Sequence, residues 1–181
     1  MKISGDYIAG FIDGEGCFTI TISKHRSKKL RLDARIHFQI EVRDDDREIL
    51  QYIQETIDCG KIYTIDYSKY GWHPHVELKV SSLKDITEKL IPFFEKYPLR
   101  AKKRFSYQKF LQAVEIFKRK EHLTQEGIEK LRNIRQKMNV YSPSSVGQGT
   151  GKPCARSGEK NIPAMGILSQ NTANKNRAWQ L

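Results

Sequence analysis

Asp13 and Glu15 stand close together at the end of a short apolar run, Ile8-Ala9-Gly10-Phe11-Ile12-Asp13-Gly14-Glu15-Gly16. Read as a helix stopped by its glycines, this run places both carboxylates at a helix C-terminus. The helix dipole and free carbonyls there are already negative, and an anion is disfavoured by roughly 0.3–1 kcal/mol. A divalent cation reverses that penalty, because carboxylate and backbone carbonyl oxygens are the ligands Mg²⁺ accepts. The glycines are the second peculiarity. Gly10 sits mid-helix at a cost of about 1 kcal/mol relative to alanine. Gly10 and Gly14 lie one turn apart on the same face with Ala9 beside them, so these residue types allow a second helix to come unusually close. With Ile8, Phe11 and Ile12 on the other faces, such a helix can pack against its own copy. Two of these helix ends side by side bring two carboxylates together, and paired metal ions are one established way to cleave phosphodiesters. The competing reading is a plain helix stop with Asp13 and Glu15 solvated. An EF-hand loop fits poorly, since Cys17, Phe18 and Thr19 stand where oxygen ligands belong.

The elements that must position these residues are legible in the hydrophobic periodicity. The first helix is expected to be capped near Asp6. A strand follows from Cys17 to Ser23, and a second from Arg35 to Arg43, each alternating apolar and polar residues as a sheet with one buried face requires. Asp44-Asp45-Asp46 supplies capping acids for a helix with Ile49, Leu50, Ile53 and Ile57 at helical spacing, ended by Cys59-Gly60. A second strand pair is expected over 61–67 and 73–80. Ser82-Leu83-Lys84-Asp85 has capping-box spacing and opens a helix in which Pro92 predicts a kink or break. Helices from about Ala101 to Phe117, and from a cap at Thr124 to Met138, complete the order. The result is an α+β plan in which an αββ unit occurs twice, the second copy without the glycine and acid motif.

Composition narrows the partner. The chain has 181 residues, 32 lysines and arginines against 21 acids, and a net charge of +11. Such an excess points to a polyanion, because each basic group meeting a phosphate releases counterions. An anionic membrane surface is the competing reading. No stretch reaches the ~20 apolar residues that span a bilayer, so a soluble, intracellular protein is expected, in the cytoplasm or an organelle matrix, with no membrane partner. Cys17, Cys59 and Cys154 are far apart and form no CxxC pair, so neither a zinc site nor a disulfide-rich scaffold is expected. His73 and His75 share a strand face but lack a third ligand. From Ser142 the sequence turns to Ser, Gly, Asn and Pro, which bury too little to fold alone. The expected division is a folded domain over 1–141 and a disordered or irregular tail over 142–181.

The run Ile8 to Gly16 resembles the signature of the LAGLIDADG homing endonucleases, with Phe11 for leucine, Gly14 for alanine and Glu15 for the second aspartate. Leu90-Ile91-Pro92-Phe93-Phe94-Glu95-Lys96-Tyr97-Pro98-Leu99, followed by Lys102-Lys103-Arg104, is similar to the family's second conserved block. The likeness covers about residues 5–140. It implies a saddle-shaped antiparallel sheet made by the two αββ units and backed by helices. With one copy of the signature, it implies a homodimer formed through the motif helix (Ile8, Ala9, Gly10, Phe11, Asp13 and Gly14). It also implies a site-specific endonuclease that hydrolyses double-stranded DNA at a long, pseudopalindromic target and is encoded within an intron.

By the family pattern Glu15 is the metal-binding acid, one from each subunit, assisted by the Gly14 carbonyl, while Asp13 braces the helix pair. Mg²⁺ is the implied ion, with Mn²⁺ as a substitute and Ca²⁺ binding without supporting cleavage. A basic residue near the cleft is implied as a transition-state stabiliser. Lys102 is the first choice, with Arg100 and Lys103 beside it. Where some relatives carry a glutamine that positions water, this chain has Val42, flanked by Glu41 and Arg43. The polar faces of the strands are expected to read DNA. On the first pair these are Thr19, Thr21, Ser23, Arg35, His37, Gln39 and Glu41, and on the second Lys61, Tyr63, His73, His75 and Lys79. Between the first two strands, Lys24, His25, Arg26 and Lys28 are expected to contact phosphates. An ordinary solvated sheet face is the alternative. Two other functions fit the same family: an RNA maturase whose partner is its host intron RNA, and a DNA-binding regulator that does not cut. Glu15 argues against the regulator, which has no use for a carboxylate facing phosphate in a basic cleft.

Overall fold

The computed structural model describes residues 3–27 and 30–138. Lys28 and the expected tail over 142–181 lie outside the described residues. The first helix, α1 (Gly5–Glu15), runs straight into strand β1 (Gly16–Lys24), which turns back as β2 (Leu32–Arg43). A 3₁₀ turn over Asp44–Asp46 leads into α2 (Arg47–Ile57), followed by β3 (Lys61–Ile65) and β4 (His75–Val80). The αββ unit therefore occurs twice. The four strands form one antiparallel sheet in the order β1-β2-β4-β3, so the longest strand of each unit lies at the centre, β2 against β4.

The strict alternation of β2 gives one apolar face. Phe18, Ile20, Ile36, Phe38, Ile40, Val76, Leu78 and Val80 are buried on it and share a core with α1, α2 and the later helices. Its centre is aromatic. The Phe18 ring lies 5.1 Å from Phe38, 5.2 Å from Tyr107 and Phe110, and 5.8 Å from Phe94. Burying rings of this size is a large part of the stabilisation available to a domain this small. Val42 also packs against this core, opposite Val76. An apolar side chain there cannot orient water.

After β4 the chain forms α3 (Leu83–Asp85), capped by the Ser82 hydroxyl, which accepts from the Asp85 N–H at 3.3 Å. The helix widens to a π-helical stretch over Ile86–Leu90 and resumes as α4 (Ile91–Lys96) with Pro92 in its first turn. The break expected at Pro92 thus takes the form of a wider turn ahead of it. Proline lacks the N–H and crowds the carbonyl a turn earlier, and a π turn relieves both. Two long helices follow, α5 (Lys103–Lys118) and α6 (Gln125–Met138). The Thr124 hydroxyl accepts from the Gly127 N–H at 3.0 Å at the head of α6, as expected.

The start of α1 differs from the sequence expectation. Ser4 is the cap, its hydroxyl accepting from the Tyr7 N–H at 3.2 Å, and Asp6 lies in the first turn. A Cβ on Gly5 would fall 2.3 Å from the Tyr97 ring, so Tyr97 lies directly on the helix backbone next to the cap.

Candidate active site and nucleic-acid face

Burial divides α1 sharply. Gly5, Ile8, Ala9 and Ile12 face inward, with Ile8 and Ile12 fully buried. Ile8 and Ala9 are packed in this chain's own core. The helical period puts both on the side of Ile12, where the aromatic core needs filling. Tyr7, Gly10 and Gly14 are exposed and Phe11 is partly so, with the Tyr7 and Phe11 rings stacked 6.4 Å apart. A Cβ built on Gly10 or on Gly14 would meet nothing within 4 Å. The outer surface of α1 is thus a strip of bare backbone flanked by two aromatic rings.

At the C-terminal end the two acids part company. Asp13 Oδ2 accepts the backbone N–H groups of Arg100 at 2.8 Å and Ala101 at 3.0 Å. The other oxygen, Oδ1, is buried with no partner among the described residues. Asp13 therefore clasps the segment that leads into α5. By doing so it brings Arg100, Lys102 and Lys103, residues remote in sequence, to the end of α1 that carries Glu15. Arg100 and Lys102 are exposed, and Lys103 begins α5 half-buried. Glu15 is exposed and takes no part in any of the protomer's described hydrogen bonds or ion pairs. The Gly16 N–H bonds the Ile12 carbonyl, and the next carbonyls, those of Asp13, Gly14 and Glu15, have no intrahelical donor.

These groups fit a hard divalent cation. The donors are a free carboxylate and a helix-terminal carbonyl, both oxygen, at the negative end of a dipole. Among the described residues no group of three His, Cys, Asp or Glu side chains converges on one point. The described residues therefore offer such an ion an incomplete oxygen shell.

The second surface is the polar face of the sheet. The register sets its residues in rows across the strands: Thr21 with Arg35; Thr19 with His37; Cys17, Gln39, Lys79 and Lys61; Glu41, Glu77 and Tyr63; and Arg43, His75 and Ile65. Arg35, Ser23, Lys24, Arg26, Lys61, Tyr63 and His73 are exposed. Thr19, Thr21, His25, Glu41, His75 and Lys79 are partly covered, and His37 and Gln39 are buried between their neighbours. Burial, together with the Lys79 charge, pushes the His37 pKa down to about 4, so its ring is neutral at physiological pH. The Gln39 side chain beside it interacts with the His37 ring and acts weakly in the opposite direction. Glu41 is well connected: its Oε1 accepts from the Tyr67 hydroxyl at 3.1 Å and lies 3.0 Å from His75 Nδ1. Burial, and then the Glu41 charge, push the Tyr67 hydroxyl up to about 12, which keeps it a donor.

Glu77 and Tyr67 join this face although neither was singled out in the sequence. The signal for Glu77 was present in the alternation His75-Glu77-Lys79, which puts all three on one side. Tyr67 lies in a turn, where no periodicity marks direction. At the same turn Tyr70 and Trp72 are exposed, with Trp72 5.9 Å from Tyr67.

Among the described residues no helix is long and apolar enough to cross a membrane. A family model described as LAGLIDADG endonuclease matches residues 8–114. The chain is 34% identical over 132 residues to "Probable intron-encoded endonuclease 3" of Neurospora crassa, an alignment covering 73% of this chain and 24% of that protein. The chain thus spans about a quarter of the length of the curated relatives it matches. Two solved structures superpose well. The homing endonuclease I-TnaI aligns with a TM-score of 0.69 and 30% identity, over 78% of this chain and 92% of the other. I-SmaMI, bound to an uncleaved DNA target in the presence of calcium ions, aligns with a TM-score of 0.70 and 27% identity, over 76% of this chain and 45% of the other.

Proposed function

Because the chain belongs to the LAGLIDADG endonuclease family, we propose that it is a site-specific DNA endonuclease that pairs through α1 and hydrolyses one phosphodiester in each strand of a duplex. The observation that carries the reading is the outer face of α1. Gly10 and Gly14 are bare, Tyr7 and Phe11 flank them, and the unpartnered Glu15 ends the strip. A second α1 laid on this face brings the two Glu15 carboxylates together and completes the oxygen shell that one protomer lacks. I-SmaMI, of which this chain matches about half, supports a functional unit built from two such halves.

Glu15 and the Gly14 carbonyl would hold Mg²⁺, or Mn²⁺ in its place, and Ca²⁺ would occupy the site without cleavage. When bound, the ion supplies charge stabilisation to phosphoryl oxygens and lowers the pKa of bound water. The protein's own groups do the rest. Glu15 would hold the ion at the helix end, where the dipole favours a cation. Asp13 accepts hydrogen bonds from the backbone N–H groups of Arg100 and Ala101, and so would keep Arg100, Lys102 and Lys103 beside the phosphate. A fixed cation there stabilises the negative charge that builds on the phosphorus oxygens, with Lys102 the first candidate. The rows of Thr, Arg, His, Gln and Lys on the sheet face the major groove, and Lys24, His25 and Arg26 at the β1–β2 turn meet phosphates.

The test is cleavage of a library of long duplexes in Mg²⁺, with Glu15→Gln beside the wild type. Cutting that vanishes in the variant, with binding retained, supports the reading. Binding without cutting in either Mg²⁺ or Mn²⁺ would instead favour a regulator, or a maturase acting on its host intron RNA.

A further inference from the structure

The connection between β3 and β4 carries Tyr67, Tyr70 and Trp72. Tyr67 folds back onto the polar face of the sheet. Its hydroxyl donates to Glu41 Oε1 at 3.1 Å, and its ring lies 5.1 Å from that of His75. Tyr70 and Trp72 rest on Tyr67, with ring centroids at 6.4 and 5.9 Å, and stand outward, 62% and 64% exposed. Aromatic rings gain by leaving water, so a cluster left bare beside this face invites a partner.

The turn is held by its own bonds. Asp66 Oδ1 accepts the Ser68 N–H at 2.8 Å, and the Tyr67 carbonyl accepts the Tyr70 N–H at 2.9 Å. The Ser68 carbonyl accepts the N–H of Gly71, also at 2.9 Å. Gly71, at φ +70, reverses the chain between the two rings in a conformation that suits glycine. The rings are thus placed in advance, and little ordering remains to oppose binding. Lys69 Nζ lies 4.9 Å over the Tyr70 ring, which sets a cation beside the pair where a phosphate can meet it. The Tyr70 and Trp72 rings are tilted by 49°, with centroids 6.2 Å apart. They offer no common plane on which successive unpaired bases could stack.

We infer that the Tyr70 and Trp72 rings take the 5-methyl group of a thymine in the major groove, and so set one position in each half-site of the target. The inference rests on the nuclease reading above, which turns this face of the sheet toward the groove. In a duplex the faces of the bases are covered by their neighbours, so a protein meets only base edges. Adenine, guanine and cytosine present amino, carbonyl and ring-nitrogen groups there, and thymine alone adds a methyl group. An aromatic ring gains by burying that methyl group. Against the other edges it displaces water from donors and acceptors and returns no hydrogen bond. Lys69, on the same turn, meets a phosphate and fixes the approach.

Two measurements test this. First, duplexes cleaved by the wild type are selected from a randomised library. A thymine is expected at one position of each half-site, and Trp72→Ala should relax that position while leaving the others as they were. Second, each thymine in one half-site of the selected duplex is replaced in turn by deoxyuridine, which lacks only the methyl group and leaves the protein untouched. One replacement should weaken wild-type binding about fourfold, the worth of one buried methyl group, and Trp72→Ala binding no further. Wild-type tolerance of every replacement, an equal loss in Trp72→Ala, or an unchanged thymine preference in that variant overturns the inference and leaves the nuclease reading standing. A wild type that neither binds nor cuts any duplex overturns both.

Discussion

α1 and α2 hold equivalent places in two copies of the same αββ unit, yet they present opposite surfaces. α2 buries Leu50, Ile53 and Ile57 and meets solvent with Gln51, Glu55 and Thr56. Its polar groups are used locally: the Thr56 hydroxyl donates to the Tyr52 carbonyl at 2.8 Å, and Gln54 Nε2 donates to the Gly60 carbonyl at 2.9 Å. α1 buries a comparable strip but turns outward two glycines, two aromatic rings and a free carboxylate. Both helices serve the core equally, so the core does not account for the difference. A bare backbone strip is a poor outer surface for a solvated helix, because glycine lowers helix stability and adds no contact. It is a good surface for close approach of a second helix.

Substitutions on the two outer faces can break this comparison. The largest effect is expected from Glu15→Gln, which should cut Mg²⁺-dependent cleavage by about a thousandfold or more, since a metal ligand supplies several kcal/mol of transition-state stabilisation. Target binding measured in Ca²⁺ should change far less. Gly10→Leu is next. It should weaken self-association about a hundredfold by sedimentation, because overpacking a close contact costs about 1–3 kcal/mol, while the protomer's thermal midpoint holds or rises. If Gly10→Leu sediments like the wild type, α1 is not the pairing surface. Asp13→Ala, which frees the amides of Arg100 and Ala101, should lower unfolding free energy by about 1–3 kcal/mol in urea and slow cleavage as well.

A smaller effect is expected from acid on the sheet. His37 titrates near 4 in the folded chain against 6.5 in the unfolded one, so the unfolded state binds the extra proton between those values. Stability from this residue is therefore complete above pH 6.5 and lost as pH falls toward 4. His37→Gln should flatten that limb of a profile of unfolding free energy against pH by on the order of 1–2 kcal/mol, the screened part of the shift. Smallest of all is Gln51→Leu on α2, expected to alter stability by no more than about 0.5 kcal/mol and self-association not at all. An effect there equal to that of Gly10→Leu would erase the distinction between the two helices.

The order of elements could be read from periodicity because each strand and helix carries its own pattern, and β2 alternates without a fault. Contacts between distant segments could not. That the Tyr97 ring lies over Gly5 is a contact no local rule reveals. Ala9 reads as a neighbour of Gly10 by size, and only the demands of the core turn it inward with Ile8. Glu15 stood out because an acid at a helix C-terminus runs against the dipole. Which base lies nearest the phosphate stayed open, because the register of 100–103 is set by Asp13 from the other end of the domain. Glu77 was legible in principle from its strand, but its place opposite Glu41 across the ladder is a relation that pairing alone creates.

The clasp between Asp13 and the amides of Arg100 and Ala101 spans 87 and 88 positions of chain. During synthesis the motif helix emerges long before the segment it must grip, and a loop of that length closes late. A growing polypeptide can thus display Glu15 while its basic companions are still in the ribosome. Under the nuclease reading proposed above, the groups at the end of α1 are assembled only when the domain is finished.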